Sequence, residues 1–380
     1  MKRVGIKPRP DWEKKVEEIG LIYHHTEGRP YWNESAYYLF GAREIDRIES
    51  ATNELHEMCL KAAQQIIDQK RFKELGIPDA AIPVIKQAWE DEPPALYGRF
   101  DLAYDGEQLK LLEYNADTPT GLLEASVAQW YWLQDLFPKL DQFNSIHEKL
   151  LAKWQELKPY IAKLVHFAYL QPPDVENSED LMTVSYLLDI AGQAGFDTTL
   201  LKIDDIGWDA ERNCFADLDD RPIRSIFKLY PWEWLLRDEY ANQLLATYPL
   251  TQWIEPIWKM LLSNKGILPI LWEMFPGHPN LLESHFSEPK GLNDYVKKPL
   301  LSREGANLTI RRAGSVLETS GPYGNEGYIY QKLARIPNFD AGYPVLGSWV
   351  IDGVAAGIGI RESATPVTDN YSAFVPHLFE

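Results

Sequence analysis

Cysteine is scarce. The 380 residues contain two, Cys59 and Cys214, and neither stands in C-x-x-C spacing. That spacing excludes a zinc-ribbon type of site and a disulfide framework, and it fits a reducing compartment. Basic charge is also short: 38 Lys and Arg stand against 56 Asp and Glu, for a net charge of −18. Nucleic-acid phosphates need the opposite balance, so a nucleic-acid partner is not expected. The acid excess is compatible with a cationic amine substrate, although acidic surfaces more often serve solubility. No stretch reaches 18 uninterrupted apolar residues, so no membrane span is expected. The opening MKRVGIKPRPDWEKK has no apolar run behind its charges, unlike a secretory signal, and the expected location is the cytoplasm. Neither G-x-G-x-x-G after a strand nor GxxxxGK[ST] occurs, which excludes a dinucleotide fingerprint and a Walker P-loop.

What is present is apolar and aromatic. Hydrophobic residues make up 45% and aromatic residues 12%, with 13 Trp and 20 Tyr. A chain this long and this apolar is expected to form two packed lobes. Residues 1 to 30 are basic and Pro-containing and read as an irregular arm. Glu44 to Gln69 has the 3.6-residue period of a helix, and IPDAAIPVIKQAWEDEPP reads as a short helix bounded by prolines. Leu122 to Leu136 and Gln142 to Ala162 follow as helices, with Asp117 or Thr118 as candidate caps for the first. From Leu164 the pattern alternates. LVHFAYL, TTLLKI and SIFKLY read as strands and Asp180 to Ala194 as the helix between the first two, which predicts a parallel sheet.

The stretch Tyr97 to Glu124, YGRFDLAYDGEQLKLLEYNADTPTGLLE, carries the densest chemistry. Its two runs alternate acidic and apolar positions around Asp105-Gly106, the pattern of a β-hairpin. A two-residue turn pairs Asp101 with Lys110 and sends Glu113 to the opposite face. A three-residue loop, Asp105 to Glu107, with Gly106 or a bulge absorbing the extra residue, pairs Arg99 with Glu113. It leaves Arg99, Asp101, Glu113 and Asn115 on one face. We expect the second. Two carboxylates and an amide oxygen are hard ligands suited to Mg²⁺, and an arginine beside them can hold a phosphoryl oxygen. The competing reading is a solvent-facing hairpin with a surface ion pair. Further on, Glu233 lies between two tryptophans in KLYPWEW, placed either to meet an ammonium in a cleft or to edge an aromatic core. Lys265 stands alone among apolar residues at a helix entry, as a phosphate contact or a snorkelling surface lysine. Gly305 lies in a polar loop between two strand-like runs, where a mobile lid can close over phosphates.

YGRFD followed by LEYNADTPT, with NKGILPILW further on, resembles the synthetase domain of the glutathionylspermidine synthase family. More narrowly, the chain is similar to that family's single-domain acid–amine ligases, from WNESAYY to PHLFE. The resemblance implies an α/β (α+β) protein with a permuted ATP-grasp fold and a pre-ATP-grasp-like α/β lobe. It implies an ATP- and Mg²⁺-dependent carbon–nitrogen ligase that forms an amide through an acyl phosphate and releases ADP. Residues 1–155 would hold the metal-binding hairpin and helical scaffold, 156–262 the pre-ATP-grasp-like lobe, and 263–380 the lid and nucleotide-binding part. Arg99 would stabilise the transferring phosphoryl group, with Asp101, Glu113 and Asn115 holding Mg²⁺. ATP would meet Arg99, Asp101, Lys265, Lys298 and Gly305, with Gln331, Lys332 and Leu333 as the adenine hinge. Lys297 would point away. Arg361, Arg303 and Glu233 would face the substrates, a small carboxylate and an amine, with a peptide and a polyamine among the candidates. Departures from the family occur at KLYPWEW, at SREG and at Gly121, all on the substrate side. Nothing before residue 97 reads as the amidase domain of the bifunctional members, so no amidase activity is expected. Two other readings compete: a non-catalytic nucleotide- or polyamine-binding module on the same fold, and a metal-independent hydrolase using Asp101 and Glu113. The lysine and lid words argue against the hydrolase. The oligomeric state is not legible.

Overall fold

The structure is a computed structural model that describes residues 1–26, 28–173, 178–339, 342–369 and 371–380. Its centre is a five-stranded antiparallel sheet in the order Ala373–Val375, Val354–Ser363, Tyr343–Ile351, Tyr97–Tyr104, Leu109–Asn115. The hairpin read from the sequence is therefore extended by a second, distant hairpin, Tyr343 to Ser363. Close approach is built into that join. Gly347 pairs with Asp101, and a Cβ on it would lie 2.9 Å from Arg99 Cδ.

One face of this sheet is covered by the helix Ala42–Asp68, which buries Ile45, Ile48, Leu55, Met58, Cys59, Ala62 and Ile66 along a helical stripe. Phe100, Leu102 and Tyr114 meet it from the sheet. The helix starts at Gly41, whose N–H donates to the Glu44 carboxylate at 3.0 Å. Three further sheets of three or more strands, among the described residues, accompany this centre. A parallel one has the order Gln252–Ile254, Ser225–Leu229, Leu164–Tyr169, Asp197–Lys202. Its crossover helix Glu179–Ala194 is capped by Ser178 Oγ, which accepts from Leu181 N–H at 3.1 Å, and ends on Gly195 at φ 98°. A second five-stranded antiparallel sheet runs Ser284–Phe286, Tyr328–Lys332, Tyr295–Pro299, Thr309–Arg312, Ser315–Glu318. A small sheet joins Lys2–Gly5, Ala36–Phe40 and His377–Phe379.

Several expectations change. The first 30 residues are not an irregular arm: they include the strand Lys2–Gly5 and the helix Trp12–Glu18. Their basic residues are anchored; the buried Arg9 guanidinium grips Glu34 and Asp135. The helix expected over 142–162 is limited to Ile146–Leu157, because the side chains of Gln142 and Asn144 bond backbone carbonyls instead. The helical stretch after Gly121 contains a π-helical turn at Glu124–Ala128 before Gln129–Leu136. Cys59 and Cys214 are both free and buried. Among the described residues no helix is long and apolar enough to cross a membrane.

Candidate active site

The hairpin closes differently from the expected three-residue loop. The turn has four residues, Asp105 to Gln108, because the Asp105 carboxylate accepts from both Glu107 N–H (3.0 Å) and Gln108 N–H (2.7 Å). With a regular ladder this turn would send Glu113 to the wrong face. A register shift between Asp101 and Leu102 leaves Leu112 as an extra residue and restores the face. Asp101 then pairs with Glu113, and Arg99 with Asn115, instead of Arg99 with Glu113.

Charges converge on this face. Arg99 Nε donates to Asp101 Oδ1 at 2.9 Å, and Arg361 Nη2 donates to Asp101 Oδ2 at 2.5 Å. Arg99 and Asp101 are buried, at 7% and 4% exposure. Arg99 also donates from Nη1 to the Thr120 carbonyl at 2.5 Å. Glu113 meets Lys265 Nζ at 2.9 Å, and the same ammonium donates to the Ser302 carbonyl at 2.6 Å. Asn115 Nδ2 donates to Glu113 Oε1 at 3.3 Å. Lys298 Nζ donates to the carbonyl of the bulged Leu112 at 2.9 Å and to Gln331 Oε1 at 2.7 Å. Burial would push the Glu113 carboxyl up, but Lys265 and Lys298 outweigh it and hold the group well below the usual carboxylate range. Burial lowers the Lys298 ammonium to about 8, against the opposing pull of Glu113. Lys297 faces the other way, its ammonium 3.9 Å from the Tyr328 ring centroid.

Several of these groups line a cavity of about 390 Å³ between the hairpin and the sheet that contains Tyr295–Pro299. Asp101, Glu113, Lys265 and Lys298 form its polar end, and Val296, Ile310 and Leu333 contribute apolar wall. Gln331 and Lys332 also line it. The Gln331 amide is committed on both sides, to Lys298 and to the Leu111 carbonyl (3.1 Å), so its work in this structure is to hold the lysine. The N–H groups of Lys332 and Leu333 donate to the carbonyls of Glu283 and Asp294. Gly305 closes the rim at φ 68°; a Cβ there would lie 2.5 Å from Val367 Cγ1 and 2.8 Å from the Thr368 carbonyl oxygen.

A smaller cavity adjoins this one through Lys265 and Ser302, and Asn115, Thr118, Glu233 and Arg303 share its wall. Arg303 donates to Thr118 Oγ1 and stacks 5.5 Å from the Trp234 ring centroid. Burial raises the Glu233 carboxyl, and Arg303 pulls it back. Neither Asp117 nor Thr118 caps a helix. Thr118 takes Arg303, and Asp117 forms a buried pair with Lys228 at 2.6 Å while accepting from Trp232 N–H at 3.0 Å. That pair ties the parallel sheet to the end of the hairpin.

A third group was not read from the sequence. On the other side of Arg99, a Cβ on Gly121 would stand 4.0 Å from Arg99 Nη1 and 4.0 Å from Glu179 Oε1. Glu124 feels the charges of Glu179 and Arg99 and accepts from Tyr31 O–H at 2.7 Å. Burial and then Glu179 raise the Glu124 carboxyl to about 7, and the same two causes raise Asp180 to about 7. Glu179 and Asp180 open a helix, where acids are expected for the dipole alone, so their clustering with Glu124 left no local signal.

Comparison with known proteins places the chain in a family. A "Putative acid–amine ligase" of Haemophilus influenzae is 44% identical over 396 residues, covering all of both chains. Trypanothione synthetase of Crithidia fasciculata is 29% identical over 354 residues, 84% of this chain and 53% of its own. The bifunctional glutathionylspermidine synthetase/amidase of Escherichia coli K12 is 28% identical over 398 residues, 96% of this chain and 63% of its own. The chain thus spans only part of the length of the latter two. Among solved structures, a glutathione-synthetase-like effector from Globodera pallida in its apo form superposes with a TM-score of 0.56 at 11% identity, over 90% of this chain and 89% of that one. The fold is accordingly the mixed α/β fold of the glutathione-synthetase-like ATP-grasp proteins. The family model described as glutathionylspermidine synthase preATP-grasp matches residues 3–380, and the chain belongs to that family.

Proposed function

We propose that this protein is an ATP-dependent carbon–nitrogen ligase that joins a small carboxylic acid to an amine. The observation that carries this reading is the convergence of Asp101, Glu113, Lys265 and Lys298 at the end of one cavity, with Arg99 and Arg361 on the shared carboxylate. The names of the relatives, a ligase and two synthetases, support it. The donor set fits a magnesium nucleotide. Asp101, Glu113 and Asn115 offer hard oxygens on one strand face, and the two lysines stand where phosphate charge must be offset. Mg²⁺ held there supplies charge neutralisation to the phosphates.

In the proposed reaction the substrate carboxylate attacks the γ-phosphorus of ATP, and the bond to ADP breaks. The amine then attacks the acyl carbon of the acyl phosphate, the amide forms and inorganic phosphate leaves. Arg99 holds the phosphoryl oxygens during the first step through its planar fork. Lys265 and Lys298 hold the nucleotide phosphates, and Gly305 lets the lid reach them. The cavity of Glu233 and Arg303 and the acid group of Glu124, Glu179 and Asp180 flank Arg99 on the substrate side. An amine must lose a proton before it attacks, and a carboxyl held near 7 is suited to accept it. The acids favour a cationic, polyamine-like amine. We assign the metal hairpin and scaffold to residues 1–155, the pre-ATP-grasp-like lobe to 156–262 and the lid to 263–380, in a protein working in the cytoplasm.

The test is a trap. With acid, ATP, Mg²⁺ and hydroxylamine, a hydroxamate should accumulate with ADP and phosphate. Release of AMP and pyrophosphate would instead show an acyl-adenylate route and overturn the mechanism.

A further inference from the structure

Away from the cleft, among the described residues, Glu13, His24 and His25 bring one donor atom each to within 4.8 Å of one another. Glu13 and Glu17 share a face of the helix Trp12–Glu18, four residues apart, and the two histidines follow on the returning segment. We propose that this group is a transition-metal site of the Zn²⁺ class, bound by His24, His25 and Glu13 and supported by Glu17.

The hydrogen-bond inventory argues for a cation. His24 Nε2 lies 2.9 Å from Glu17 Oε1, so it carries hydrogen and leaves a lone pair on Nδ1. His25 Nδ1 faces that lone pair at 2.7 Å, and His25 Nε2 faces Glu13 Oε1 at 3.6 Å. Two neutral rings carry two hydrogens, and the Glu17 and ring–ring contacts use both, so His25 Nε2 is left with a lone pair facing the Glu13 carboxylate at 3.6 Å, beyond hydrogen-bond range. An ion between the ring nitrogens and the Glu13 carboxylate supplies the missing positive charge. The change needed is small. Zn–N bonds of ~2.0–2.1 Å at a tetrahedral angle separate two nitrogens by roughly 3.3 Å, and the donor atoms here already lie within 4.8 Å of one another. Two imidazoles and one carboxylate suit Zn²⁺ rather than Mg²⁺ or Ca²⁺, and the exposed position leaves a fourth place for water. Glu17 on the remote nitrogen of His24 is the carboxylate–histidine–metal arrangement that fixes a ligand's tautomer. Trp12 packs on both rings, with centroids at 5.7 and 5.6 Å.

The site also has a line to the cleft. The His24 carbonyl accepts from Tyr31 N–H at 2.9 Å, and Tyr31 O–H donates to Glu124. Metal here fastens the helix Trp12–Glu18 to the segment that delivers Tyr31.

The experiment uses chelator-treated full-length protein without nucleotide, titrated with Co²⁺ and followed by visible absorption, then with Zn²⁺ by calorimetry. Wild type should bind one Co²⁺ with the intense spectrum of tetrahedral geometry, and Zn²⁺ should displace it. His24→Ala and His25→Ala should each lower Zn²⁺ affinity by more than about tenfold, the least that loss of even an outer-shell partner costs. Glu13→Gln, which leaves both rings in place, should do the same. Asp101→Asn should keep the spectrum. A spectrum retained in the histidine variants, one lost in Asp101→Asn, or a wild type without a tetrahedral spectrum would overturn the proposal. Circular dichroism of each variant separates lost binding from lost folding.

Discussion

Asp101 and Glu113 stand directly opposite each other in the ladder, and the extra residue Leu112 is what puts their carboxylates on one face. On the proposed reading this pair holds the metal of a metal–nucleotide complex. Asp101→Ala and Glu113→Ala should each abolish the Mg²⁺-dependent gain in ATP affinity. Calorimetric titration of ATP with and without Mg²⁺ checks this; equal affinities in wild type and both variants would contradict the metal assignment.

Arg99 should serve turnover more than nucleotide binding. Arg99→Lys keeps the charge beside Asp101 but loses the fork. kcat and kcat/KM should fall together by roughly 10²–10³, the size of a lost oxyanion-type contact, while ATP affinity changes little. Steady-state kinetics beside equilibrium ATP binding separates the two. A variant with weak ATP binding and intact kcat would make Arg99 a binding residue.

Lys298 sets a pH dependence. Its ammonium titrates at about 8 in the folded protein, against ~10.4 in an unfolded chain. Between those values the folded state binds fewer protons, so this group's contribution to folding stability rises with pH across that window and is least favourable below about 8. Nucleotide binding should run the other way, because phosphates need the charged form. ATP affinity should fall as pH rises through about 8, and Lys298→Met should bind weakly with a flat profile. Equilibrium binding across that range is the measurement.

Gly305 allows the lid its contact with Val367 and Thr368. Gly305→Ala places a methyl group 2.5 Å from Val367 Cγ1 and strains a φ of 68°. The lid should stand off, raising KM for ATP roughly 5–30-fold, the equivalent of ~1–2 kcal/mol. Protease cleavage within 302–307 should quicken at the same time. An unchanged KM would remove the lid from nucleotide binding.

The Asp117–Lys228 pair is a stability element, with side-chain exposures of 2% and 0%. Lys228→Met leaves a buried carboxylate unpaired, at a cost of ~3–5 kcal/mol. The urea midpoint should drop with the slope unchanged, and Asp117→Asn added to Lys228→Met should recover much of the loss. A midpoint shift below about 1 kcal/mol equivalent would show the pair to be weak.

Local pattern carried much of this structure. Alternation around Asp105-Gly106, the helical period of Ile45 to Ile66 and the βαβ order after Leu164 are short-range signals, and each produced its element. The long words around Asp101 and Lys265 hold three residues of the cavity's polar end, Asp101, Glu113 and Lys265. What remained hidden was set at long range. The turn length and the bulge at Leu112 depend on how the Asp105 carboxylate bonds and on the distant strand Tyr343–Ile351. The fate of Asp117 depends on Lys228, more than a hundred residues away. The ordering of the first residues depends on Arg9 finding Glu34. The acid group of Glu124 and Glu179 exists only once a helix from the parallel sheet is brought against the turn at Gly121.

The double contact of Lys265 shapes how the proposed site fills. Its ammonium already neutralises Glu113 and at the same time tethers the lid backbone at Ser302. A bare divalent ion therefore competes with a resident cation for the same carboxylate and gains little. A metal arriving on a triphosphate brings an acceptor for the displaced ammonium, so the exchange is close to balanced in charge. On the proposed reading a cleft wired in this way would be loaded by the complex as a unit, and the step that seats the metal would be the one that unties the lid.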